Sequence, residues 1–229
     1  MTIWTVLPDV DQHSLSSQSR VRWLDSIHTA NTIQAWHRLP QTQVLLFGST
    51  GACALAATLA PSPDRHRCYA LPCINPTHLA PTMDCLFKNA SALARTEFVM
   101  YSNPATIYFG DLIEAIRSVD RMYQEVLLVG SAVNLPHPQL INFKDHTWSA
   151  DLHYKATAFG ASAHQSGHKI MHYFVYRRAL TPSMPVLLHG HPFWENWILT
   201  SYIGNSKAAS IDASAVVLAV TFEDGQVIF

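Results

Sequence analysis

Charge is what this sequence has least of. Only 14% of its 229 residues are Asp, Glu, Lys or Arg, against 48% hydrophobic, and the formal net charge is −1. Such a chain carries no global basic field for nucleic acid or anionic lipid, and no run of Lys and Arg offers a local one. No apolar stretch approaches the ~18 residues of a membrane span. The opening MTIWTVLPDVDQHS has no basic segment followed by an apolar one, which argues against a secretory signal. Neither GxGxxG nor GxxxxGK[ST] occurs, so the two common glycine-rich phosphate loops are missing. Repeats, low-complexity tracts and long linkers are absent too. The four cysteines, Cys53, Cys68, Cys73 and Cys85, form no CxxC pair. They read as reduced thiols used as small core residues, in a reducing cytoplasm. Zinc held by Cys68, Cys73, His66 and His78 is the weaker alternative, because zinc ligands normally come in tighter pairs.

What the chain does have is alternation. SRVRWLDSIHTANTIQAWHRL (19–39) has helical apolar spacing, and QTQVLLFGS (41–49) is an apolar run of the kind buried on both faces of a sheet. GACALAATLA (51–60) favours helix and stops at Pro61. HRCYALPC (66–73) reads as a short strand and APTMDCLFKNASALA (80–94) as a helix with Pro81 in its first turn. EFVMYS, then FGDLIEAIRSVDRMY, then EVLLVGS (125–131) give strand, helix and strand again. Repeated strand–helix order predicts an α/β fold with a mainly parallel sheet flanked by helices. Open sheets of this kind bind ligands at the carboxyl ends of their strands, here Phe47-Gly48-Ser49, Tyr101-Ser102-Asn103 and Gly130-Ser131. After about residue 135 the chain turns polar, His-rich and irregular, with strand character returning at KIMHYFVY (169–176) and SAVVLAVTF (214–222) and a loop running into a helix at HPFWENWILTSYIG (191–204). The whole reads as one domain over 1–229, with a nucleotide-binding half to about 135 and an acceptor-side half from about 136.

The order AWHRLPQTQVLLFGS, APTMDCLFKNA, VMYSNPATIYFGDLIEAI, VLLVGS, HYFVY, FWENW and IDAS resembles the GT-A-type glycosyltransferases, within them the compact family-2-like sugar transferases, from about residue 20 to 225. No one of these motifs is specific; the resemblance lies in seven features in sequence. It implies a Rossmann-like GT-A fold that moves a sugar from a nucleotide-diphosphate donor to a hydroxyl acceptor. Three positions depart from the family together. Ala105 stands where an acidic metal ligand follows the strand-end Asn, His172 where an Asp precedes the aromatic strand, and Thr221 where a His helps hold the metal, with Glu223 and Asp224 just beyond.

Those departures bear on chemistry. Sugar transfer expels a diphosphate, whose growing charge a divalent cation, Mn2+ or Mg2+, can neutralise. The altered positions argue against that cation, and a metal-independent enzyme needs fixed positive charge or oriented N–H groups instead. Arg177, Arg178, Lys155, Lys169 and the histidines are the candidates. His164, His168 and His172 would share a helix face and could bind metal, whereas a strand at 171–175 would break that face. His189 and His191, as His-x-His on a strand, would point the same way. For the base that takes the acceptor proton, the resemblance points to Glu195 in FWENW, with Trp194 and Trp197 as a sugar platform and His172 and His191 as further substrate contacts. The alternative is that Glu195 flanks a helix start and the tryptophans are core. Phe47, Gly48, Ser49 and Asn103 fall where donor would bind; a tight strand exit at Gly48 and an Asx-turn at Asn103 are the structural alternatives. Asp111 reads as a helix cap and Asp212 as a turn anchor. The rival to an enzyme is a degenerate transferase fold serving as a binding or assembly subunit, with a protein partner or a second copy as its counterpart.

Overall fold

Strand and helix alternate as the apolar runs require. The computed structural model describes residues 1–7, 18–60, 63–136, 139–163, 171–191 and 193–222. In chain order these form β1 (Thr2–Val6), α1 (Gln18–Arg38), β2 (Gln43–Gly48), α2 (Thr50–Leu59), β3 (His66–Ala70), α3 (Met83–Leu93), β4 (Phe98–Ser102), β5 (Ile107–Tyr108), α4 (Gly110–Met122), β6 (Val126–Gly130), β7 (Val133–Leu135), α5 (Trp148–Ala163), β8 (Tyr173–Arg177), α6 (Phe193–Ile203), β9 (Ala209–Asp212) and β10 (Ala219–Phe222).

The central sheet has seven strands in the order β3-β2-β1-β4-β8-β6-β9. All neighbours are parallel except β8, which runs antiparallel to both β4 and β6. Alternation along each strand sends its side chains to two cores. On one face Ile3, Val44, Leu46, Met100 and Val175 meet Ile33 and Trp36 of α1, Ala52 and Ala56 of α2, and Leu112, Ile116 and Val119 of α4. On the other, Trp4, Phe47, Tyr101 and Phe174 meet Leu86, Phe87 and Ala90 of α3 and Trp194, Ile198 and Tyr202 of α6. A small sheet, β5-β10-β7, carries a third cluster in which Leu152 and Ala156 of α5 are buried. No helix among the described residues is long and apolar enough to cross a membrane.

Three differences from the sequence reading have physical causes. The central strand β1 was not anticipated: TIWTV mixes threonines with its apolar residues, and the structure buries all five. The Thr2 hydroxyl is satisfied by Gln43 Oε1 (2.9 Å) and Thr96 (2.7 Å). The polar stretch after 135 contains α5, which buries few side chains and so shows little apolar periodicity. The cysteines are not reduced core thiols: Cys53 bonds Cys68 and Cys73 bonds Cys85. The partners are 15 and 12 residues apart in sequence, and the β2–α2–β3 and β3–α3 connections bring their Cα atoms to 5.5 and 6.2 Å, within disulfide reach. With Cys68 and Cys73 in separate disulfides, the zinc alternative is not realised, and the cysteines give no support to a reducing compartment.

Candidate functional site

The carboxyl edge of the sheet gathers the ends of β2, β4, β6 and β9. Because β8 runs in reverse, it contributes its beginning there. His172, just before β8, joins two strand ends: its carbonyl accepts the Asn103 N–H and its own N–H donates to the Gly130 carbonyl, both at 2.8 Å. Its Nδ1 accepts the Ala132 N–H at 3.1 Å, which in the neutral ring leaves the proton on Nε2.

Next to it lies the turn that lacks a carboxylate. Asn103 Oδ1 accepts the Ala105 N–H at 3.0 Å, an Asx-turn as the Asn-Pro pair suggests. The Trp36 indole donates to the Thr106 carbonyl at 2.9 Å from the end of α1 and pins the turn. The Ser102 hydroxyl meets the Tyr108 phenol at 2.8 Å beneath it. Thr221 lies elsewhere, buried in β10 and paired with Asn134 in the small sheet. At the end of β6 the Ser131 N–H and hydroxyl reach the Ser214 hydroxyl at 2.9 and 3.1 Å. The Ser214 N–H and hydroxyl both donate to Asp212 Oδ1, so Asp212 anchors a turn. Asp111, in the first turn of α4, accepts from the Leu112 and Leu218 N–H groups at 2.8 and 2.7 Å.

At the end of β2, Ser49 caps α2, its hydroxyl accepting the Ala52 N–H at 3.2 Å. Gly48 is there because space is short: a Cβ would sit 3.2 Å from Ala52 Cβ and 3.3 Å from Leu7 Cβ. The Phe47 side chain faces the core against Trp4.

Glu195 approaches the same edge from the α3/α6 face. Trp194 packs 4.9 Å from Tyr101 near the end of β4, while Tyr202 donates to the Leu180 carbonyl at the opposite edge. Helix α6 therefore starts at the carboxyl edge and runs away from it, with Glu195 in its first turn. Burial raises the Glu195 carboxyl from 4.5 to about 7, because desolvation penalises the charged form. Burial, and then the nearby Glu195 charge, raise the Tyr101 phenol. Trp194 is 3% exposed and belongs to the core; Trp197, at 38%, is open to solvent.

The site therefore brings together His172, Asn103, Ser49 and Glu195 along one edge, and adds Ser131, Asp212 and Ser214. Sequence reading named Gly130-Ser131 only as a strand end; the strand-then-Gly-Ser pattern was the available signal. The structure places the remaining candidates on other elements. Arg177 ends β8 at the amino edge, ion-paired with Glu97 and, at 2.7 Å, with Asp120, and Arg178 donates to the Ala94 and Glu97 section of that edge. Neither can meet a leaving group at the carboxyl edge. His189 and His191 lie on a turn around Gly190, φ +87°, not on a strand. His189 is half-buried, which lowers its pKa, and His191 is exposed. Lys155 is on α5, lining a cleft of about 550 Å³ with Leu135, Tyr154 and Phe159. His164, His168, Lys169, Glu223 and Asp224 lie outside the described residues.

A divalent metal does not fit what is described. No three His, Cys, Asp or Glu side chains among the described residues converge as ligands. Ala105 has no side-chain oxygen, and the hydrogen bonds that Asp111 and Asp212 accept tie them to the start of α4 and to the 212–214 turn.

No protein-family model matches the chain, and no curated protein matches it in sequence. Solved structures match in fold. TarS of S. aureus aligns with a TM-score of 0.50 at 10% identity, over 97% of this chain and 36% of that one. A Bacillus anthracis protein assigned as a glucose-1-phosphate thymidylyltransferase, solved with sucrose, gives 0.50 at 7% identity, over 96% and 89%. A TarS fragment, 1–349, solved with UDP-GlcNAc gives 0.46 at 11% identity, over 97% and 58%. The chain spans less than two thirds of these TarS chains. At such identities the likeness establishes the fold alone: a mainly parallel seven-stranded sheet flanked by helices.

Proposed function

We propose that this chain transfers a sugar from a nucleotide-diphosphate donor to a hydroxyl acceptor without a divalent metal. The observation that carries the reading is Glu195: a carboxyl group at the ligand edge of a nucleotide-sugar transferase fold, raised to about 7 by burial. A group poised there can accept a proton near neutral pH. The acceptor oxygen attacks the anomeric carbon, its proton passes to Glu195, and the bond to the diphosphate breaks with its electron pair on the leaving oxygen. The donor lies along the ends of β2 and β4, at Phe47-Gly48-Ser49 and Asn103, with Phe47 contributing backbone because its ring is in the core. N–H groups in the first turn of α2, with His172 and His191, face the leaving group. Trp197 forms the acceptor wall, and Trp194 supports it from the core. Donor binding belongs to the half up to about residue 135, acceptor binding to the half after it.

A binding or assembly subunit is the second reading. The observation favouring it is that the Ser49 hydroxyl, Asn103 Oδ1 and Asp212 Oδ1 each accept a hydrogen bond from the local backbone.

Calorimetric titration with a panel of nucleotide diphosphates and their sugars, first in EDTA and then in Mn2+, separates the two. The proposal expects one donor to bind in EDTA. Binding only with Mn2+ would overturn its metal-independent part, and no binding in either condition would favour the subunit.

A further inference from the structure

The segment between β3 and α3 is a tightly folded loop with little apolar anchoring. Asn75 Oδ1 accepts the Thr77 and His78 N–H groups at 2.9 and 3.2 Å. The Asn75 N–H donates to Ala80 and the Leu79 N–H to Asn75, at 2.9 and 2.8 Å. Ile74 bridges Pro81, and the Thr82 N–H closes the loop on the Cys73 carbonyl at 3.3 Å. Most of its side chains from Cys73 to Leu79 are exposed. Cys73 and Leu79 hold φ of 55° and 52°, a region that non-glycine residues adopt at a cost.

This loop grips the segment that leads into α6. Thr82 bridges Leu188, the His189 N–H donates to Pro81 at 2.9 Å, and the Met83 N–H donates to Leu187 at 2.7 Å. The Cys73–Cys85 disulfide fastens the loop to the first turn of α3. A covalent tie, a closed loop and one two-bond β-bridge thus connect Cys73 to the lead-in of the helix that carries Glu195.

We propose that Cys73–Cys85 is a thiol–disulfide exchange site, opened by a dithiol, whose state sets the position of 187–191. A thiolate of the dithiol attacks the exposed Cys73 sulfur, the S–S bond breaks, and its electron pair leaves on Cys85 Sγ. The second thiol of the reagent then resolves the mixed disulfide, releasing Cys73. The reagent ends as its own disulfide, and the protein has gained two electrons and two protons. Access selects this bond: Cys73 is exposed, whereas Cys53 and Cys68 are both half-buried and Cys68 packs on the core. Opening also releases the Cys73 backbone from its left-handed conformation. The consequence for catalysis rests on Glu195 as the base; the exchange reaction does not.

The test is graded dithiothreitol on the full chain, with iodoacetamide mapping of the four cysteines and NMR-detected hydrogen exchange. Cys73 and Cys85 are expected to label before Cys53 and Cys68, while exchange at the Met83 and His189 amides accelerates by about tenfold and that of β1 and β4 is unchanged. A Cys73→Ser/Cys85→Ser variant should show the same exchange pattern without reductant, and Cys53→Ser/Cys68→Ser should not. Simultaneous labelling of all four cysteines, labelling only on global unfolding, or labelled Cys73 and Cys85 with unchanged exchange at Met83 and His189 would each overturn the proposal. Neither readout uses a donor, so a failed donor titration would overturn the transferase reading and leave this result standing.

Discussion

Gly130 and Tyr173 face each other across the β6–β8 ladder, and the tyrosine ring occupies the space a side chain at Gly130 would need. A Cβ built there collides with the phenol, which is itself fully buried and has no hydrogen-bond partner among the described residues. Gly130→Ala is therefore expected to destabilise the fold by about 1–3 kcal/mol or more, the range for overpacking a close-packed core. Urea denaturation checks this; an unchanged midpoint would mean that Tyr173 moves aside freely.

Glu195 makes a prediction about pH. Its folded pKa, about 7, lies above the ordinary 4.5, so the folded state favours the protonated form. The sign follows: this contribution to stability is whole below about pH 4.5 and is lost as pH rises through 7. Glu195→Gln should be relatively more stable than the parent at about pH 8.5 and no better at about pH 5. Under the transferase reading the same variant loses turnover while donor affinity is kept. Denaturation at the two pH values checks the first part and a donor titration the second.

His37 and His66 make the opposite prediction. Their rings lie 5.8 Å apart, both side chains are buried, and none of the four ring nitrogens has a hydrogen-bond partner among the described residues. Burial first, then the charges of His66, Arg65 and Arg38, lower His37 from 6.5 to about 4, and burial lowers His66. Arg65 is held by the Thr42 and Leu39 carbonyls and Arg38 by those of Gln34 and Phe143. Neutral imidazoles are favoured on folding, so stability should fall as pH drops from 6.5 towards 4. His37→Leu is expected to flatten that fall, as thermal melts across the range would show.

The Cys53–Cys68 disulfide ties α2 to β3 across a separation of 15 residues. Closing a loop of that length contributes about 3 kcal/mol, chiefly by restricting the unfolded chain. Cys53→Ser/Cys68→Ser should lower the unfolding free energy by about that amount and raise the denaturant slope, because the unfolded chain loses a cross-link and exposes more surface. Equilibrium denaturation gives both.

Much of the sheet was legible because strands buried on both faces must read as apolar runs: VLLF in β2, FVM in β4 and LLV in β6 could hardly be anything else. Helix α4 declared itself by spacing Leu112, Ile113, Ile116 and Val119 on one side. What escaped depended on tertiary partners. Thr2 could be buried in β1 because Gln43 and Thr96 receive its hydroxyl, which nothing in TIWTV announces. Cysteine pairing follows from how turns fold back, not from spacing along the chain. At the edge, Asn103, Ser49, Gly48 and Glu195 were legible as residues worth watching. The Asx-turn at Asn103 and the tight exit at Gly48 could be read as alternatives, whereas the cap made by Ser49 and the role of His172 in joining β4 to β6 needed the coordinates.

Strand β8 sits between β4 and β6, yet it comes from the far end of the chain. The first 135 residues therefore build β3-β2-β1-β4 and a separate β6, and the later residues supply β8, which joins them, and β9 beyond. Cutting the chain there would open one edge of β4 and both edges of β6, each exposing a row of unpaired backbone groups. The two parts of the chain are thus interlocked like clasped hands, so the later residues hold together the very sheet that the earlier ones build.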